Sequence, residues 1–290
     1  MSHVNPPWRL VAGSTTNKSD FVEPSAPPWT SLESLVKPRI SRHDRKPFLV
    51  EDLQCRALYF AADGCTQSEM YLDDPITLAN EYCRKMMGFV VVQPRPKRVL
   101  MIGLGGGSLV KFCYCHLPTS RMTVAEIDAD VIALRSNFYI PPDDERLRVV
   151  NQDGAIYIEH MVRSDERTDV ILVDAYDQNG LATAVRQRSF LDNARRVLSP
   201  HGIFVMNLVA DDADCQRQIA LIRSVFGNPT IVIEALWGGN LLVFAGAALH
   251  APRRRLLAGR NAARARERLG LNFPTLLQRI GDYHKSAGCR

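Results

Sequence analysis

The sequence predicts an α/β fold: a Rossmann-type sheet, mostly parallel with an antiparallel terminal hairpin, preceded by a small N-terminal β domain. Short apolar strands alternate with helical stretches from Arg98 onward, the pattern of βαβ units in a parallel sheet. Gly103, Gly105 and Gly107 follow the first of those strands directly, in RVLMIGLGGGSL. Near the end, PTIVIEALWGGNLLVFAG holds two β-rich runs separated only by a Gly-rich turn. That turn is too short for the crossover that parallel strands require, so the last strand must run antiparallel.

In chain order, residues 1–45 carry Pro6, Pro7, Pro24, Pro27, Pro28 and Pro38 among polar residues, without a periodic apolar pattern. They are expected to form a disordered extension, with Trp8 and Trp29 as local anchors. Residues 46–75 read as a small β-hairpin domain, because the β-like stretches PFLVEDL and CRALYFA are punctuated by Asp63 and Gly64. Residues 76–92 read as helical and lead into the main domain, 76–250. Its strands are RVLMIG, MTVAEID, LRVVNQD, DVILVDA and GIFVMNL, with helices beginning near Ser108, Ala129, Ala155, Ser189 and Asp214. Residues 251–290 read as a basic helical tail.

The composition excludes several classes. With 46% hydrophobic and 23% charged residues, the 290-residue chain can bury one sizeable core. The net charge of +5 comes partly from Arg253, Arg254, Arg255, Arg260, Arg264, Arg266 and Arg268. A solvated helix face accounts for such a run, so no nucleic-acid partner is expected. Seven scattered cysteines without a CxxC pair suggest reduced thiols. On one helix Cys115 would point away from Cys113, two residues before it, and from His116, one residue after it, so no metal site is expected. No apolar run reaches membrane-spanning length and no signal-peptide pattern opens the chain, so the default expectation is a cytoplasmic protein without a membrane partner.

The chemistry concentrates at strand ends. Gly103, Gly105 and Gly107 let the backbone approach a ligand at a helix N-terminus. Glu126 ends the second strand, where a carboxylate can accept both hydroxyls of a ribose, and Ile127 beside it joins the nucleoside-binding set. Asp128 fits a helix cap. Asp153 and Gly154 end the third strand, where an acid can accept from an adenine amino group. Asp174 ends the fourth, with Asp177 three residues on. Carboxylates at the carboxyl ends of successive strands converge on the crevice where open α/β sheets bind ligands. The antiparallel last strand matches the sheet of S-adenosylmethionine methyltransferases and their relatives, whereas NAD-binding domains usually continue in parallel.

Over residues 48–246 the chain resembles the spermidine synthase (polyamine aminopropyltransferase) family. The segment ADGCTQSEMYLDDPITLANEY is similar to that family's entry region, with Gln67 at its glutamine, and Asp174 with Asp177 match its DxxD motif. The resemblance implies that Gln67, Glu126, Asp153 and Gly154 hold the nucleoside of decarboxylated S-adenosylmethionine. It implies that Asp174 is the catalytic base and that Asp177, Tyr82 and Trp237 bind a small-molecule amine. A homodimer is compatible with it, and no metal is needed. The chain departs from the family at GLGGGS, where Gly106 replaces an aspartate. It departs again at Gln178, Asn179 and Gly180 after the acidic pair, at Glu81–Arg84 in place of Tyr-His-Glu, and near Trp237. Two other readings stay open: a methyltransferase using intact S-adenosylmethionine, which Gly106 tolerates, and a non-catalytic nucleoside-binding relative.

Overall fold

The structure, a computed structural model, describes residues 46–60, 66–235, 239–250 and 254–287. The expectations for residues 1–45 and for Trp237 lie outside the described residues.

Strands β1 (Phe48–Glu51), β2 (Cys55–Tyr59) and β3 (Ser68–Tyr71) form an antiparallel sheet in that order. Asp52 sets the first turn by accepting the Gln54 and Cys55 N–H groups, each at 2.7 Å. Leu58 and Met70 turn inward and are fully buried. Helix α1 spans Glu81–Met86 and passes into a tighter turn, Met87–Val91, buried throughout. The helix expected from residue 76 thus starts five residues late. Asp74 bonds the Thr77 N–H at 3.2 Å and its hydroxyl at 2.7 Å, a local arrangement that competes with helix.

The main domain continues through β4 (Arg98–Ile102), α2 (Ser108–His116), β5 (Arg121–Glu126), α3 (Ala129–Ala133), β6 (Leu147–Asn151), α4 (Gly154–Arg163) and β7 (Thr168–Val173). A small hairpin follows, β8 (Tyr176–Asp177) with β9 (Gly180–Leu181), then α5 (Arg188–Val197), β10 (Leu198–Val209), α6 (Cys215–Phe226), β11 (Ile231–Glu234) and β12 (Asn240–Ala245). The seven-stranded order is β11-β12-β10-β7-β4-β5-β6. β4, β5, β6, β7 and β10 are parallel, and β12 runs antiparallel to both β10 and β11, as the short terminal turn predicts. Along β4, Val99 and Met101 enter one core layer and Leu100 and Ile102 the other, so this central strand is apolar on both faces.

Helices α7 (Arg254–Leu269) and α8 (Pro274–Ala287) form the C-terminal segment. Ala258, Ala262 and Ala265 are buried at helical spacing, as are Leu276 and Ile280, and all five join the core layer that holds Val99. Arg260, Arg264 and Arg268 lie on the exposed side. These three arginines are therefore on one face of an amphipathic helix whose other face is core.

The chain runs from β4 outward to β6 and returns through β7 on the other side of β4. That reversal is a topological switch point, and the crevice in which open α/β sheets bind ligands lies at such a point, beyond the carboxyl ends of β4 and β7. Helix α4 is drawn tightly onto β4 there: a Cβ on Gly154 would lie 2.3 Å from Ile102 Cγ2. Gly154→Ala is expected to cost about 1–3 kcal/mol of stability through overpacking, read as a lower denaturation midpoint.

Candidate functional site

The glycine loop is shaped by backbone geometry. Gly103, Gly105 and Gly107 all have positive φ, at 96°, 51° and 65°. A Cβ on Gly103 would fall 2.1 Å from the Asp174 carbonyl oxygen, so the loop after β4 rests directly on the chain leaving β7. The Gly103 N–H donates to Ala125 O and the Asp174 N–H to Ile102 O, each at 2.9 Å. Gly107 caps α2. Gly106 is walled in: a Cβ there would meet Ser68 Oγ at 2.6 Å and the Phe138 ring at 3.0 Å. The buried Ser68 comes from β3, immediately after the half-buried Gln67.

Glu126 is 8% exposed. Its Oε2 accepts the Leu104 N–H at 2.7 Å and its Oε1 the Asp128 N–H at 2.8 Å. Burial raises its pKa, and these N–H bonds oppose the rise. A carboxylate can accept about four hydrogen bonds in all, so Glu126 keeps capacity for a hydroxyl donor. Ile127, next in sequence, is 66% exposed, an apolar side chain open at the strand end. Asp128 caps α3 through the Asp130 N–H at 2.8 Å. Asp153 caps α4: its Oδ1 accepts from Ala155 at 2.7 Å and Ile156 at 3.4 Å, which leaves Oδ2 to a ligand.

Asp174 lies on the other side of the crevice, half-buried. Asn207 Nδ2 donates to its Oδ1 at 2.9 Å, and the Tyr82 side chain lies close to it. Burial pushes the Asp174 carboxyl above the usual carboxylate value, while Asn207 and Tyr82 pull it back. Burial, with the Asp174 charge nearby, holds the Tyr82 phenol well above its usual range. Behind Asn207, Asn240 Nδ2 donates to Asn207 Oδ1 at 2.9 Å. The Tyr176 hydroxyl donates to Asn207 O at 3.1 Å and accepts the Val209 N–H at 2.9 Å. Tyr82 and Asp174, far apart in sequence, are thus brought together. Asp177 is not joined to them: it is exposed on the β8–β9 hairpin, and its Oδ1 accepts the Asn179 N–H at 2.6 Å.

Sequence reasoning missed Asn207, Asn240 and Ser68. Asn207 carried a signal, since an amide inside the apolar strand GIFVMNL demands a partner when buried. Ser68 carried none, because only the fold brings β3 to the glycine loop. Among the described residues no three His, Cys, Asp or Glu side chains are grouped to hold a metal ion. The Cys113 thiol lies 3.7 Å from Met87 Sδ, and the His116 ring packs on Phe112. No described helix is long and apolar enough to cross a membrane.

The reversed last strand puts the chain in the methyltransferase-like class of Rossmann folds, apart from all-parallel dinucleotide binders. The profile of the spermine/spermidine synthase domain matches residues 79–222. The chain is 36% identical over 196 residues to the polyamine aminopropyltransferase of Chromobacterium violaceum, a match covering 67% of this chain and 74% of the relative. It is 34% identical over 168 residues to the eEF1A lysine and N-terminal methyltransferase of Xenopus laevis, covering 53% of this chain and 24% of that one. The solved spermidine synthase in complex with the transition-state analogue AdoDATO shares the fold, with a TM-score of 0.55 at 21% identity over 70% of this chain and 74% of that one. The chain belongs to the spermine/spermidine synthase family and is a transferase.

Glu126 offers a direct test of nucleoside binding. Glu126→Gln keeps one acceptor oxygen and is expected to weaken methylthioadenosine binding by about 1.5–3 kcal/mol, the worth of a charged hydrogen bond, with cooperative unfolding retained. Unchanged affinity in calorimetry would remove Glu126 from the ribose site.

Proposed function

We propose that the chain is an aminopropyltransferase, moving an aminopropyl group from decarboxylated S-adenosylmethionine to a di- or polyamine. The observation that carries this reading is Asp174, a half-buried carboxylate of raised basicity at the sheet reversal, bonded by Asn207 and set against the glycine loop. In the proposed step the acceptor amine's lone pair attacks the aminopropyl carbon next to the sulfonium, and the C–S bond breaks. Its electron pair returns to sulfur, so neutral methylthioadenosine leaves. The proton released from the amine passes to Asp174. Gln67, Gly103, Gly105, Gly107, Glu126, Ile127, Asp153 and Gly154 are assigned to the nucleoside. Tyr82 and Asp177 are assigned to the cationic amine, with Trp237 retained from the sequence. No metal enters this chemistry.

One observation favours a second reading. At Gly106 the donor's tail would meet the Ser68 hydroxyl rather than a carboxylate, a neutral surrounding that accepts intact S-adenosylmethionine and so methyl transfer. Calorimetry with both donors and with methylthioadenosine, followed by product analysis with putrescine and spermidine, decides between them. Aminopropylated product supports the proposal; methylated product from the intact donor alone replaces it. Absence of binding to all three ligands leaves only a non-catalytic relative.

A further inference from the structure

We infer that Asn207 is a positioning residue for Asp174, held in one orientation by Asn240, so that this pair of amides fixes which carboxylate oxygen faces the acceptor amine. The inference rests on Asp174 being the base proposed above. An ionised carboxylate only accepts hydrogen bonds, so Asn207 must turn its Nδ2 toward Asp174, at 2.9 Å, and its Oδ1 away. An amide can flip. Here the flip is blocked because Oδ1 already takes the Asn240 Nδ2 hydrogen at 2.9 Å. Asn207 is 3% exposed, and Tyr176 bonds the β10 backbone on both sides of Leu208, so neither the side chain nor its strand has freedom to drift. Asp174 Oδ1 is thereby held by Asn207, and Oδ2, which takes no bond from that amide, is the oxygen assigned to the proton from the amine.

The relay also fixes the charge state. Asn207 stabilises the ionised carboxylate against the burial that disfavours it. The other titratable groups facing Asp174 are Tyr82 and Cys83 from α1 and Tyr176 from β8, each raised above its usual range by burial and so neutral near pH 7. Nearby charges are turned elsewhere. Arg84 bonds the Leu78 and Ala79 carbonyls, and Asp212, beside Tyr176, pairs with Arg186 at 3.0 Å. Loss of the Asn207 donor should therefore raise the Asp174 pKa further. Because the base must be ionised, the acid limb of the rate profile should move to higher pH.

The test uses two variants of the full chain. Asn207→Leu removes the donor at similar volume. Asn240→Asp leaves Asn207 in place but presents it with an acceptor, which draws Nδ2 away and turns Oδ1 toward Asp174. Both are expected to shift the acid limb of kcat/KM upward by about one pH unit, with much of the high-pH plateau retained. A structural role alone would lower the rate equally at every pH. The Asp174 carboxyl is also titrated by 13C NMR in aspartate-labelled protein, with Asp174→Asn assigning the signal, which needs no turnover. An upward shift in folded Asn207→Leu supports the relay, since the new anion of Asn240→Asp would by itself raise the Asp174 pKa; an unchanged titration in either folded variant overturns it. If Asp174→Asn turns over like the wild type, the base assignment fails, and the NMR titration still reads the relay.

Discussion

Asp174→Asn is expected to lower turnover by about a hundredfold to ten-thousandfold while leaving methylthioadenosine affinity nearly unchanged. The substitution keeps shape, and its amide oxygen can still accept from Asn207. What it loses is the ability to take a proton. Stability should not fall with it. The Asp174 carboxyl titrates above its usual value because burial opposes its charge, so its ionised form costs stability once pH rises through that raised value. Asp174→Asn removes that cost and should be at least as stable as the wild type at neutral pH. The difference should vanish in acid, below the ordinary carboxylate range, where the wild-type group is protonated whether folded or not. Equal turnover in the two proteins would exclude Asp174 as base.

The second large effect concerns the choice of donor. Placing an anion at position 106 should favour the decarboxylated donor, whose tail ends in an ammonium alone, over the intact one, whose tail adds a carboxylate, by about 1–3 kcal/mol in a partly desolvated site. The loop geometry adds a condition. A Cβ on Gly106 would meet Ser68 Oγ at 2.6 Å, so Gly106→Asp alone must displace β3 or the loop. Gly106→Asp combined with Ser68→Ala removes the closer obstacle and leaves only the Phe138 ring to give by a few tenths of an ångström, and calorimetry with both donors should then show the preference. A double variant that folds yet binds both as the wild type does would mean the tail does not approach position 106.

The strands, the helix starts and the reversed last strand were legible because each rests on local information: apolar runs of strand length, turn residues, and a connection too short for a crossover. The strand-end acids were legible for the same reason, since strand ends can be counted. What sequence could not supply was lateral order. Tyr82 is brought onto Asp174 by the packing of α1, and no spacing rule connects residues ninety-two apart. Asp177, three residues on in the motif, lies exposed on the hairpin and accepts the Asn179 N–H, a placement that no spacing rule supplies. The early start assigned to the first helix failed where Asp74 offered Thr77 a competing bond.

The contact between Gly103 and the Asp174 carbonyl makes the glycine loop and the strand end carrying Asp174 a single mechanical part. Their spacing is set by main chain alone, without a side chain that substitution could lengthen or shorten. Attempts to retune the acceptor range by altering this seam would misalign both halves together, costing donor affinity and rate at once. The hairpin that follows offers better ground for redesign. Gln178 and Asn179 are exposed at its tip, so exchanging them probes the proposed amine side of the site while the seam keeps its gauge.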